Sequence, residues 1–141
     1  MTTANEQLVL DFIHAAYGQK MDVEAMTAMM AEDFVWQLNV PRSKVVKGRA
    51  AARAELIQHS ELSTGMIEGS EIQTVVSSGN TVVVERIDVN DVGAKVLRFN
   101  VVAIFDVRDG KLTGWREYWD TGHIAQQLGI DAAHMFDALE P

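Results

Sequence analysis

The chain has no cysteine and only two prolines among its 141 residues. Without thiols there is no disulfide framework and no thiolate nucleophile. Positive charge is also scarce: 12 Lys and Arg stand against 20 Asp and Glu, a net charge of −8. An acidic chain without a basic stripe does not attract nucleic acid or an anionic membrane surface, and it offers nothing to a phosphorylated substrate. No apolar run is long enough to span a bilayer. No basic segment followed by an apolar one opens the chain as a secretory leader would, which fits a cytoplasmic protein. The histidines His14, His59, His123 and His134 have no metal-ligand spacing, and Gly48 and Gly79 sit in no phosphate-binding pattern. There is no internal repeat, low-complexity tract or linker. These exclusions leave one domain over residues 1–141, with no metal or cofactor, acting on a neutral, apolar small molecule.

The hydrophobic share is 48%, enough for a real core at this length. Leu8, Val9, Phe12, Ile13, Ala15 and Ala16 recur at helical spacing, and Gly18 is a stop. Val23, Met26, Met29 and Met30 repeat the pattern in a shorter helix. Phe34 to Leu38 reads as a strand, Pro41 to Lys47 as a loop and Gly48 to Gln58 as a third helix. From Met66 the chain turns to β. Strands are expected over Ile67–Val76, Thr81–Val89, Lys95–Val107 and Leu112–Asp120. The turns between them are Ser77-Ser78-Gly79-Asn80, Asn90-Asp91-Val92-Gly93 and Arg108-Asp109-Gly110-Lys111. Asp120 or Thr121 can cap a last helix through Gln127. Helices followed by consecutive hairpins imply an α+β fold with an antiparallel sheet packed on N-terminal helices.

The chemistry-bearing feature is Arg86-Ile87-Asp88. A strand has a period of two, so Arg86 and Asp88 share a face with Val82 and Val84. A charged pair on an apolar face is expensive unless paired or used. The last strand ends at Asp120, on the parity of Leu112 and Tyr118. If the strands are neighbours, Arg86 sits between Asp88 and Asp120, and two carboxylates bridged by an arginine form an acid–base device. By the same parity Glu117 points away from it. A structural ion pair at a sheet end is the plain alternative.

Helix–helix–strand–helix followed by a long meander resembles the cone of the nuclear transport factor 2-like superfamily. Glu85-Arg86-Ile87-Asp88-Val89 and Gly110-Lys111-Leu112-Thr113-Gly114-Trp115-Arg116-Glu117-Tyr118-Trp119-Asp120 are similar to the limonene-1,2-epoxide hydrolase family, close to the SnoaL-like polyketide cyclases. That resemblance implies a cone-shaped curved sheet and hydrolysis of an epoxide without a covalent intermediate. It implies that Asp120 deprotonates water, Asp88 protonates the epoxide oxygen and Arg86 bridges them. A positioned acid and base each supply about 10²–10⁴-fold.

The family also holds its water with a tyrosine and an asparagine two residues apart on the first strand. Here Trp36 and Leu38 occupy those places. Trp36 can donate one hydrogen bond, and a bulge would turn Asn39 inward, so Trp36 and Asn39 are the candidates for positioning water. Leu38, Phe99, Val101 and Tyr118 are the candidate pocket lining. Other readings are an epoxide-opening or polyketide cyclase, in which a substrate hydroxyl replaces water, a ketosteroid-isomerase-like proton shuttle, and a non-catalytic ligand-binding module. Several strands are apolar on both faces, which implies a homodimer through the outer sheet face, with Trp115 and Trp119 at the interface.

Overall fold

The computed structural model describes residues 2–18, 20–62, 67–91 and 95–134. The first helix, α1 (Ala4–Ala16), starts at Thr3, whose side chain accepts from the Glu6 backbone N–H while the Glu6 carboxylate accepts from Thr3. This reciprocal cap satisfies two orphan donors at once. The apolar stripe of α1 buries Val9, Phe12, Ile13 and Ala16. Asp22 caps α2 (Val23–Ala28). Strand β1 (Met30–Gln37), the short β2 (Val45–Lys47) and α3 (Arg49–Leu62) follow. The meander β3 (Ile67–Ser78), β4 (Thr81–Asp91), β5 (Val96–Arg108) and β6 (Lys111–Trp119) leads into α4 (Thr121–Leu128).

The six strands form one sheet in the order β2-β1-β6-β5-β4-β3. The fold is the expected α+β architecture: an open, curved sheet packed on the N-terminal helices. Three details differ from the sequence expectation. The sheet is mixed, because β1 runs parallel to β6. The segment expected to be a loop up to Lys47 contains β2, which pairs antiparallel with β1. Strand β1 begins at Met30, four residues before Phe34, since Met30 pairs with Leu112 across an irregular register. Met66 and the turn residues Val92 and Gly93 lie outside the described residues.

The core is anchored by an aromatic stack across three strands. Trp115 of β6 lies flat between Trp36 of β1 (5.0 Å, 6°) and Phe105 of β5 (5.9 Å, 10°). Phe12 of α1 meets Trp115 edge-on at 5.0 Å. Such contacts contribute about 0.5–1.5 kcal/mol each beyond their buried area, and they pin helix to sheet. Trp115 is therefore a core residue at 4% exposure, not an outer-face residue.

The reason is a β-bulge. Asp106 and Val107 of β5 are consecutive, yet they pair with Gly114 and Leu112 of β6, leaving Thr113 as the extra residue. One extra residue reverses parity. Leu112 faces the core before the bulge, and Trp115 and Glu117 face it afterwards. Tyr118 is consequently turned to the outer face, 40% exposed. Gly114 suits the bulge, because a Cβ there would lie 2.7 Å from Asp106 Oδ2, the oxygen that receives Arg116 at 2.7 Å.

This geometry makes two one-residue deletions unequal. Deleting Thr113 removes the bulge and leaves Leu112, Trp115 and Glu117 all inward, so unfolding followed by circular dichroism should remain cooperative. Deleting Arg116 turns Glu117 outward and strips a buried arginine of one carboxylate, a loss of about 3–5 kcal/mol. Equal melting of the two variants would refute the bulge account.

Candidate active site

Arg86 lies on the inner face of β4 with its side chain fully buried, and Asp88 follows it on the same face at 4% exposure. Arg86 Nε donates to Asp88 Oδ1 at 2.9 Å and to Oδ2 at 3.2 Å. Ser70, opposite Asp88 on β3, donates its hydroxyl to Oδ1 at 2.6 Å. The pairing read from the sequence, Arg86 with Asp88 on an apolar face beside Val82 and Val84, is present.

The second carboxylate is Glu117, not Asp120. Arg86 Nη2 donates to Glu117 Oε2 in a close ion pair. Asp120 lies just past β6, where its Oδ1 accepts from the His123 backbone N–H at 3.1 Å and caps α4. The expected convergence of Asp120 on Arg86 failed because the bulge at Thr113 reverses the parity on which it rested. A lone glycine inside a strand pattern is a known sign of a bulge, so Gly114 was the available signal for Glu117.

A third group joins from α1. Arg86 Nη2 also donates to the Tyr17 hydroxyl at 2.8 Å, and the guanidinium carbon sits 4.9 Å from the centre of the Tyr17 ring. Neither Tyr17 nor Ser70 was foreseen, and no sequence spacing marks them.

The electrostatics follow from burial. Desolvation pushes Glu117 above the usual carboxylate range; Arg86 opposes this and the Asp88 charge reinforces it. Desolvation also pushes the Tyr17 phenol well above its ordinary value, against the pull of Arg86. For Arg86 desolvation works against the charge, but Glu117, Tyr17 and Asp88 outweigh it, and the guanidinium stays protonated. Among the described residues three buried donors have no partner: Arg86 Nη1 and the indole nitrogens of Trp36 and Trp115. The Trp115 indole lies near enough to Glu117 to favour its carboxylate form, without hydrogen-bond geometry.

The other candidates scatter. Trp36 is buried in the aromatic stack, with its ring 5.5 Å from His59. Asn39 is buried, but its amide donates to the Trp119 carbonyl at 2.9 Å and ties the loop after β1 to β6. Leu38 packs half-buried against the core. Val101 is buried as the register partner of Arg86, and Phe99 is that of Asp88. Phe99, Asn100, Trp119, Asp120, His123 and Ile124 line a cleft of about 290 Å³. Trp119 meets Phe99 edge-on at 5.2 Å and donates to the Leu38 carbonyl, so it too differs from the expected interface role. Tyr118, on the outer face, is not among the residues lining this cleft.

The catalytic-domain model of the limonene-1,2-epoxide hydrolases matches residues 3–129. The chain belongs to that family. The limonene-1,2-epoxide hydrolase match takes in every member of the buried cluster. A curated relative, epoxide hydrolase EphG of Mycobacterium tuberculosis, is 30% identical over 102 residues, covering 72% of this chain. The match spans 65% of that relative, just under two thirds of its length. A solved LEH-like epoxide hydrolase of M. tuberculosis superposes with a TM-score of 0.75 at 25% identity, covering 98% of this chain and 96% of its own. An NTF2-like protein from Burkholderia xenovorans, at 18% identity and a TM-score of 0.63 over 83% of each chain, shares the fold.

Proposed function

We propose that the chain is an epoxide hydrolase that adds water to an apolar epoxide in one step, using Asp88, Arg86 and Glu117. The observation that carries this reading is the buried guanidinium holding two carboxylates. Two ionised carboxylates with one arginine would leave a net negative charge out of water, so in this reading one carboxyl, Asp88, serves as the acid and the other, Glu117, as the base. That is the state the reaction needs. Glu117 takes a proton from water as the water oxygen bonds to one epoxide carbon. The carbon–oxygen bond of the ring breaks, and the proton on Asp88 passes to the released oxygen. Burial raises the proton affinity of Glu117, which makes its carboxylate a stronger base than an exposed glutamate. The base role assigned to Asp120 from the sequence passes to Glu117. None of the cluster residues lines the cleft, but Phe99, the register partner of Asp88, does, and its apolar walls Phe99, Trp119 and Ile124 suit an apolar substrate.

Homodimerisation through the outer sheet face belongs to the same reading, with Val35, Val102 and Tyr118, each 38–40% exposed, in place of the two tryptophans. Sedimentation at micromolar concentration should give a dimer; a monomer contradicts this part.

Hydrolysis of cyclohexene oxide or styrene oxide in ¹⁸O-labelled water should place one label in the diol. If these simple epoxides are inert and an epoxy-alcohol closes to an unlabelled ether, the nucleophile is a substrate hydroxyl instead. Glu117→Gln and Asp88→Asn should each lose about 10²-fold or more. Asp120→Asn should stay within a few-fold of wild type and melt alike, because asparagine caps a helix as well as aspartate. Inactivity of Asp120→Asn alongside active Glu117→Gln would return the base role to Asp120. Full activity of both Glu117→Gln and Asp88→Asn would make the cluster structural.

A further inference from the structure

Tyr17 contacts Arg86 directly yet has no role in the proposed reaction. It stands at the C-terminal end of α1. Its hydroxyl oxygen accepts from Arg86 Nη2 at 2.8 Å, so its own proton must point elsewhere. Among the described residues no oxygen or nitrogen is placed to accept it. The same nitrogen, Nη2, donates to Glu117, whereas Asp88 is held from Nε. The hydroxyl therefore belongs to the Glu117 side of the guanidinium. Around β1, Leu38 has no polar group, the Asn39 amide donates to the Trp119 carbonyl, and the Trp36 indole, whose N–H has no partner among the described residues, lies in the aromatic stack.

We propose that Tyr17 holds the attacking water, donating its hydroxyl proton to the water oxygen while that water donates to Glu117. The inference rests on the hydrolase reading above and deepens it. The arrangement balances. The water accepts from one neutral donor, gives one hydrogen to the base, and keeps a lone pair for the epoxide carbon. Tyr17 gains and loses no proton over the cycle, which suits a phenol that burial keeps neutral. Its ring, set over the guanidinium, fixes the hydroxyl and also turns Arg86 toward Glu117. The fold thus supplies this donor from α1.

The test is Tyr17→Phe, which keeps the ring and removes only the hydroxyl. It is assayed on cyclohexene oxide and styrene oxide over a pH series, with circular dichroism melting as the check on folding. Removing one donor to the water should lower the plateau kcat by about 10- to 100-fold. KM should be nearly unchanged, and the acidic limb of the profile, set by the base, should stay in place. If Tyr17 merely tunes Arg86, the limb shifts and the plateau keeps its wild-type value; that result overturns the proposal. So does an unchanged profile. If Tyr17→Phe melts below the assay temperature, Tyr17→Trp, which restores a ring N–H but not the hydroxyl position, should show the same loss of kcat; a wild-type kcat in that variant overturns the assignment. Glu117→Gln separates the two levels of the argument. An inactive Glu117→Gln beside a fully active Tyr17→Phe removes only the water-holding role. An active Glu117→Gln, or a wild-type chain that opens neither epoxide, removes the hydrolase reading and the water site with it.

Discussion

A fully buried arginine is the constraint around which this fold is arranged. Arg86 is the largest side chain completely removed from solvent, and no apolar packing compensates a bare guanidinium in that position. Taking such a charge out of water costs several kcal/mol, and it is tolerated only with close, well-aligned counter-charges. Four elements converge to provide them: β4 itself through Asp88, β6 through Glu117, α1 through Tyr17, and β3 through the Ser70 hydroxyl that steadies Asp88. Two carboxylates around one guanidinium over-supply negative charge. Burial, reinforced by the Asp88 charge, raises the proton affinity of Glu117, and the chemistry proposed for the site draws on that.

The link from backbone to chemistry runs through β6. The aromatic stack of Trp36, Trp115 and Phe105 holds the strand flat against its neighbours after the bulge. With Trp115 inward, Glu117 two residues on must also face inward and meet Arg86, since β4, β5 and β6 are consecutive in the sheet. Arg116 is directed outward to Asp106 by the same phase. Paired without a bulge, the same sequence would bury Arg116 and expose the glutamate.

Most of the architecture was legible in the chain. The stripe through Val9, Phe12 and Ile13, the turns at Gly79 and Gly110 and the Asp120 cap each rest on a local rule, and local rules were enough. The parallel pairing of β1 with β6 was not legible, because it depends on contacts between segments some eighty residues apart. At the site, Arg86 and Asp88 were legible because they lie on one uninterrupted strand. Glu117 was missed because period-two reasoning was carried from Leu112 across Thr113 and Gly114, where a bulge resets it. Tyr17 was missed because a tyrosine at the end of a helix carries no pattern that distinguishes a site residue from a packing one.

Glu117, buried on Arg86 beside Asp88, is the second carboxylate of the cluster. Its side-chain carboxyl carbon can be followed by ¹³C NMR through a pH titration, in the wild-type chain and in Asp88→Asn. The account predicts a Glu117 midpoint above the ordinary glutamate range, moving downward in Asp88→Asn as the repelling neighbour charge is removed. A Glu117 that titrates in the ordinary range and ignores the loss of Asp88 would contradict it.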